Sequence, residues 1–380
     1  MPKPRTAKID EIDRLVELAD RIFRKPGQTS MGTAYARLFA KENAGHLLVM
    51  EDEGVLATLV GLLQADISVE GCSIRTVSMG AVCTDPAYRG KQYADTLFKM
   101  SVEKCVEDEA HLMLISGARN LYLRNDCVEV GAVKLFTFQA RSGVHDDEVS
   151  SHLTIRPFDE SIDLLSMITL MEQDTAYYKR TEAELAQLIR SAAVLSNASA
   201  EQHVWMACDS DGTAAGYIVF GPIEKNGVSS VKVIEYAGSD ESVLVLLQQI
   251  ALNFHGRQVN VHVMGDRPAL VEKLVVSGAS FIETNIPGTI RIIDFLGLWR
   301  SLKPYMAARV SEETLSELEI SEASFGYRIA YRGHAHLVDR RGAARLVFNG
   351  PQLTETSELK EILGKLFPLP WVYTDNLNFV

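Results

Sequence analysis

Residues 77–98 read VSMGAVCTDPAYRGKQYADTLF. An apolar run of strand character breaks at Thr84-Asp85-Pro86, passes Arg89, Gly90 and Lys91, and enters a helical pattern. Proline fixes its own φ and offers no N–H, so the run ends there as a strand. Beyond it, Ala94, Leu97, Phe98, Ser101 and Cys105 fall at helical spacing, with Asp95, Lys99, Glu103 and Lys104 off that stripe. The spacing predicts a helix beginning near Lys91 or Gln92. Its free N–H groups and positive dipole end, directly behind Arg89-Gly90-Lys91, form an anion site suited to a pyrophosphate. A plain strand-turn-helix with solvated basic residues fits the same spacing, because Gln92 stands where a phosphate-binding turn often has glycine.

The chain of 380 residues exceeds one ordinary core, which predicts two or three domains. With 47% hydrophobic and 23% charged residues it has material for packed cores and no disorder signature. A net charge of −12 repels polyanions and argues against nucleic acid as a partner. Cys72, Cys83, Cys105, Cys127 and Cys208 are odd in number and lack CxxC spacing, so neither a disulfide framework nor a zinc site is expected, and a reducing cytoplasm fits best. The N-terminus carries charges within its apolar pattern and no apolar run approaches the roughly 20 residues that cross a bilayer, so neither a signal peptide nor a membrane partner is expected.

The polar stretch 141–152 separates two segments that begin alike, RTAKIDEIDRLVELADRIF and TIRPFDESIDLLSMITLMEQ. Each opening leads to a second helical pattern, TAYARLFAKE and TEAELAQLIRSA, and then to a hairpin. Thr181 and Glu184 give the second copy a capping box, and Asp211-Gly212 gives it a tight turn. A strand, helix, strand and helix follow in both. From Thr289 the pattern changes to shorter alternating runs between Gly and Arg turns, ending in the helix SELKEILGKLF and an aromatic tail, PLPWVYTDNLNFV. The predicted fold class is therefore α/β (α+β), with units at 1–150 and 151–288 of one architecture and a small α+β unit at 289–380.

AVCTDPAYRGKQYA resembles the acetyl-CoA signature of the GNAT superfamily of N-acetyltransferases, Gln/Arg-x-x-Gly-x-Gly/Ala after a strand. Arg89 and Ala94 match its ends, and Gln92 replaces its middle glycine. LYLRNDCVEVGAV resembles the later Leu-Tyr-x-x-x-Gly-Phe segment through Leu121 and Tyr122, departing at Asp126 and Cys127. The layout of two GNAT-like domains and a sterol-carrier-like domain is similar to Eis-type acetyltransferases over essentially the whole chain. The resemblance implies that Val82, Cys83 and Thr84 pair with the pantetheine arm of acetyl-CoA, the acetyl donor. Arg89, Gly90, Lys91, Gln92, Tyr93 and Ala94 would hold its pyrophosphate. A helical φ/ψ at Gln92 would make glycine unnecessary there.

The resemblance also implies Tyr122 as general acid and the carboxylate of Val380 as general base, with Phe23 and Tyr35 in the acceptor pocket. It implies a homo-oligomer too. No metal is expected: His334-x-His336 places two imidazoles on one strand face but lacks further ligands at suitable spacing. Cys127 reads as a core cysteine. EYAGSDESVLVLL, in the place of the cofactor motif, lacks an Arg-x-x-Gly element, so the second copy reads as structural, lining the acceptor cleft. The function expected is transfer of acetyl to a primary amine, on a small molecule or a lysine side chain, by direct attack. The rival readings are a CoA- or lipid-binding regulatory protein with little catalysis, suggested by Gln92 and the carrier-like unit, and a tRNA-dependent aminoacyl transferase, which the acidic balance opposes.

Overall fold

A computed structural model describes residues 2–139, 152–225, 227–352 and 357–380. The stretch 141–152 lies outside these residues apart from His152. The chain opens with β1 (Lys3–Thr6), β2 (Leu47–Asp52), β3 (Val55–Val69), β4 (Cys72–Thr84) and β5 (Leu112–Ile115). Next come β6 (Val133–Phe138), β7 (Thr154–Pro157), β8 (Ala176–Tyr178), β9 (His203–Cys208) and β10 (Ala214–Lys225). Then follow β11 (Val228–Gly238), β12 (Gln258–Met264), β13 (Ser280–Thr284) and β14 (Thr289–Ile292). The last three are β15 (Glu319–Ala323), β16 (Gly326–Tyr331) and β17 (His334–Val338).

The first sheet runs β1-β2-β3-β4-β5-β14, with β8 added to β3, and the second runs β13-β6-β12-β11-β10-β9-β7. Each contains antiparallel hairpins followed by one parallel pair, β4 with β5 and β11 with β12. A helix crosses between the members of each pair, Tyr93–Glu107 in the first and Asp240–Asn253 in the second. Two mixed α/β units of one architecture are thus present. The Thr181 capping box forms as its spacing requires, with both Thr181–Glu184 bonds made. The run TAYARLFAKE is not a helix: only Met31–Ala34 coils, and a 3₁₀ segment follows at Lys41–His46.

The strands do not respect boundaries at 150 and 288. β6 pairs with β12 and β13 in the second sheet, while β14 pairs antiparallel with β5 in the first, Thr289 opposite Ile115 and Ile292 opposite Leu112. The second sheet takes β6 from the first segment, and the first sheet takes β8 from the second segment and β14 from the third. The cores follow this exchange: Phe136 and Phe138 pack with Val231, Leu246 and Val261, and Ile290 and Ile292 with Leu112 and Leu114. A short apolar strand carries no mark of which sheet it joins, because its alternation fits either.

The three-stranded sheet β15-β16-β17 packs with the helices Arg340–Asn349 and Glu358–Leu366. Ile329, Val347 and Leu363 share a core with Leu114 and Ile290 of the first sheet, so this α+β unit is built onto the first one. Among the described residues no helix is long and apolar enough to cross a membrane.

The exchange has a measurable consequence. A fragment of residues 1–139 lacks β14 and leaves β6 without a sheet, so it should show no cooperative thermal transition by circular dichroism; a sharp melt like that of the full chain would contradict the exchange.

Candidate active site

β4 pairs with β5 only over Thr76–Met79, opposite Leu112–Ile115. From Gly80 onward the β5-facing edge of β4 has no strand partner, and the two strands part. The cause lies on the other edge: Leu59 faces Cys83 and Gly61 faces Gly80, so Val60 of β3 opposes two residues, Ala81 and Val82. Ala81 takes the extra position with φ +51°. This is a β-bulge, which bends the strand and increases its twist. A non-glycine residue in that left-handed region costs about 1–2 kcal/mol. Val82, Cys83 and Thr84 stand on the bent arm. Cys83 is buried, its thiol pushed up to about 12 by burial, and Thr84 accepts a hydrogen bond from Thr58 at 3.1 Å.

The arm runs into the Arg89–Ala94 loop. Asp85 accepts the Ala87 N–H at 3.0 Å and ties off the Pro86–Tyr88 turn. Gly90 has φ +82° and open space around it, so glycine serves the dihedral there and not a close approach. Gln92 caps the helix Tyr93–Glu107 at φ +60°, ψ +20°. The helix starts near Gln92 as expected, but the expectation of helical backbone at Gln92 is corrected. The left-handed cap is the conformation glycine favours, and Gln92 adopts it against a cost of about 1–2 kcal/mol. Lys91 leans back onto Asp52, Nζ to Oδ2 3.0 Å, and the Tyr93 hydroxyl donates to the same oxygen at 2.6 Å. The Tyr93 bond first, and Lys91 second, hold the Asp52 carboxyl below its usual range. Arg89 and Gln92 remain exposed at the mouth, and Ala94 is half-buried.

Tyr122 lies in the short helix Asn120–Leu123 and is buried among Met79, Tyr93, Phe98 and Ile115, the last residue of the β5 pairing. Burial raises its phenol above the ordinary value, with Arg119 opposing, so it holds its proton through the neutral range. Cys127 is 1% exposed, with its thiol pushed up to about 12 by burial. The carboxylates of the two motifs are engaged elsewhere, Asp85 with Arg21 at 3.2 Å and Asp126 with Arg291 and Arg341 at 3.3 Å each.

Tyr35 belongs to the apolar cluster of the first unit, against which Phe23, Phe379 and Val380 also pack. The Tyr35 ring lies 6.3 Å from that of Phe379, and its hydroxyl bonds Asn197 of the second segment. Val380 reaches the parting itself. A methyl group built on Gly80 would stand 2.4 Å from the Val380 carbonyl carbon and 2.8 Å from its oxygen. The cavity at the parting is lined by Ser78 and Met79 of β4, Ile115, Ser116, Tyr178, and Asn378 to Val380. Tyr122 is not among its lining residues. It shares an apolar cluster with Met79 and Ile115, which do line the cavity.

The second sheet has the corresponding parting, bridged by side chains, with a cavity remaining beside Tyr236, His262 and Tyr373. β11 and β12 pair only over Ser230–Lys232 and Gln258–Asn260. Beyond, the Tyr236 hydroxyl donates to the His262 carbonyl at 2.8 Å across the gap, and the Tyr373 ring stacks on His262 at 3.4 Å and 12°. Burial lowers the His262 imidazole to about 3, so the stacked ring is neutral. Ser239 caps the helix Asp240–Asn253, whose first turn carries Asp240 and Glu241. Two carboxylates at a helix N-terminus oppose a phosphate. His334 and His336 sit on β17 in the third sheet, and among the described residues no group of three or more His, Cys, Asp or Glu side chains is placed to hold a metal ion.

Residues 3–127 match the family model described as an acetyltransferase (GNAT) domain, and the chain is an acyltransferase enzyme. No curated protein matches it in sequence. Among solved structures it is similar to a GCN5-related N-acetyltransferase from Anabaena variabilis, at 15% identity over 98% of this chain and 99% of that one, TM-score 0.65. It is likewise similar to one from Kribbella flavida, at 14% identity over 100% and 98%, TM-score 0.64. Eis1 from Mycobacterium abscessus shares 11% identity over 92% and 90%, TM-score 0.56. At such identities the likeness is one of fold.

Sequence reasoning missed Gly80 and Ala81, although two small residues inside an apolar strand are a signal for a bulge or a close backbone approach. Gly80→Ala should eject the tail: carboxypeptidase is expected to release residue 380 faster from the variant than from the parent. Equal rates would show that the tail is not held against Gly80.

Proposed function

We propose that the protein transfers the acetyl group of acetyl-CoA to a primary amine, on a small molecule or a lysine side chain, by direct attack. The observation that carries this reading is the seat of Val380 against Gly80, where β4 leaves β5. A chain that ends there places its α-carboxylate at the parting. The pantetheine arm would pair with the free edge of the bent arm at Val82, Cys83 and Thr84. The pyrophosphate would meet the N–H groups of the loop from Arg89 to Ala94 at the mouth of the helix Tyr93–Glu107. Lys91 is neutralised by Asp52, which leaves Arg89 as the nearer positive charge for the phosphates.

The amine nitrogen attacks the thioester carbonyl, and the Val380 carboxylate accepts the proton that the nitrogen sheds as the C–N bond forms. The C–S bond then breaks, and the thiolate takes the Tyr122 hydroxyl proton. Burial keeps the phenol protonated at neutral pH, so the proton is present when the thiolate leaves. Phe23 and Tyr35, whose ring lies beside that of Phe379, would offer the acceptor an apolar wall. The division into an acetyl-CoA unit, a second unit closed to CoA and a sterol-carrier-like third unit, as in Eis-type enzymes, is part of this proposal. It is supported by the whole-length fold likeness to Eis1.

Tyr122→Phe should lower kcat by roughly 10²–10⁴-fold with acetyl-CoA affinity little changed, read as thiol release over a set of primary amines. Unaltered turnover would remove the tyrosine from the mechanism. Appending residues after Val380 should abolish transfer while leaving the melting curve unchanged. An extended protein as active as the parent would remove the terminal base.

A further inference from the structure

We propose that Arg180 is a positioning residue for the transfer step: it fixes Asn378 and, through it, the Val380 carboxylate at the parting of β4 and β5. The proposal rests on the terminal-base reading above. Arg180 stands where three parts of the molecule meet. It follows β8, which is grafted onto the first sheet with Tyr178 opposite Ile67 and the Lys179 N–H bonded to the Asp66 carbonyl at 2.8 Å. Its two terminal nitrogens each donate to Glu235 of β11 in the second sheet at 2.7 Å. Its Nε donates to the Asn378 side-chain oxygen at 2.7 Å. The Arg180 side chain is 1% exposed.

The geometry is more telling than the energy. A buried ion pair is often no more stabilising than well-packed apolar residues, so stability alone gives little reason to keep one. What a guanidinium offers is a planar fork with fixed directions. With both terminal nitrogens committed to Glu235, which the Tyr217 hydroxyl also anchors at 2.9 Å, the direction of Nε is set before the tail arrives.

The tail needs such a fixed point. Residues 371–380 form no strand or helix, so no ladder of backbone bonds holds them in register. Side chains do the holding: Thr374 donates to the Pro287 carbonyl at 2.6 Å, Asp375 pairs with Lys232, and Leu377 is buried in the core of the second unit. Asn378 is the last of these anchors. The Asn378 N–H bonds the Asn376 side chain at 2.8 Å, and the Phe379 N–H bonds the Asn376 carbonyl at 3.1 Å. Beyond them Phe379 and Val380 have apolar contacts, which hold depth but not direction. Any freedom at Asn378 therefore reaches the carboxylate two residues later. The second unit, closed to CoA, acquires a role in catalysis as the clamp of the base.

The test compares Asn378→Ala, Asn378→Asp and Arg180→Lys in the full chain, with kcat, the KM for acetyl-CoA and the melting midpoint measured for each. Removing the acceptor oxygen in Asn378→Ala should lower kcat roughly 10- to 100-fold, the usual effect of misplacing a reacting group, with the KM for acetyl-CoA unchanged. Asn378→Asp keeps an acceptor for Nε and should recover most of that loss. Arg180→Lys, which cannot bridge Glu235 and Asn378 together, should fall with Asn378→Ala. Parent kcat in Asn378→Ala, or a loss that follows the melting midpoint and is not recovered by Asn378→Asp, would overturn the positioning role. The extension after Val380 separates the two failures. If the extended protein is inactive while Asn378→Ala is fully active, only the role of Arg180 falls; if the extended protein is active, the terminal base falls with it.

Discussion

Between Met79 and Gly80 the fourth strand of the first sheet lets go of the fifth. A strand that leaves its neighbour inside a domain bares backbone donors and acceptors that must find other partners. The bulge at Ala81 makes the separation a built feature, since it fixes the bend on the β3 side, where the ladder resumes at Cys83 and Thr84. The open edge then faces a gap with Val380 at its base and the Arg89–Ala94 loop at its mouth.

The two sheets show what it takes to keep such a gap open or to close it. Both part after a short parallel pairing, and both send a helix from the end of the bent strand. In the second sheet a tyrosine hydroxyl spans the gap and an aromatic pair stacks beside it, and the helix begins with carboxylates. In the first, the neighbour of the gap is Gly80, whose lack of a side chain leaves room for Val380. The architecture is shared and both partings keep a cavity, but the second is bridged by Tyr236 and Tyr373 and its helix begins with two carboxylates, a field that opposes an anion. The tail that bridges the second gap with Tyr373 is the one that enters the first with Val380, so one segment separates the tasks of the two units.

Much of this was legible in the sequence. The break at Thr84-Asp85-Pro86, the turn that follows it and the helix beyond depend on local chemistry and on a motif with fixed spacing. The exchange of β6 and β14 was not legible, because Val133–Phe138 and Thr289–Ile292 are short apolar strands that suit either sheet. The left-handed cap at Gln92 was misread because an L-residue in that region is uncommon, and the tertiary bonds of Lys91 and Tyr93 to Asp52 that hold the loop join positions some 40 residues apart. The Arg180–Glu235–Asn378 junction joins three distant segments and leaves no periodic trace.

The account stands on the claim that one gap is open to an acyl-CoA and the other is closed to it. Isothermal titration of the full chain with acetyl-CoA measures this directly, through the number of sites per chain and their response to a substitution in either sheet. The account predicts one site per chain, weakened by Arg89→Ala and indifferent to Tyr236→Phe. Two sites per chain, or a single site that responds to Tyr236→Phe and not to Arg89→Ala, would contradict it.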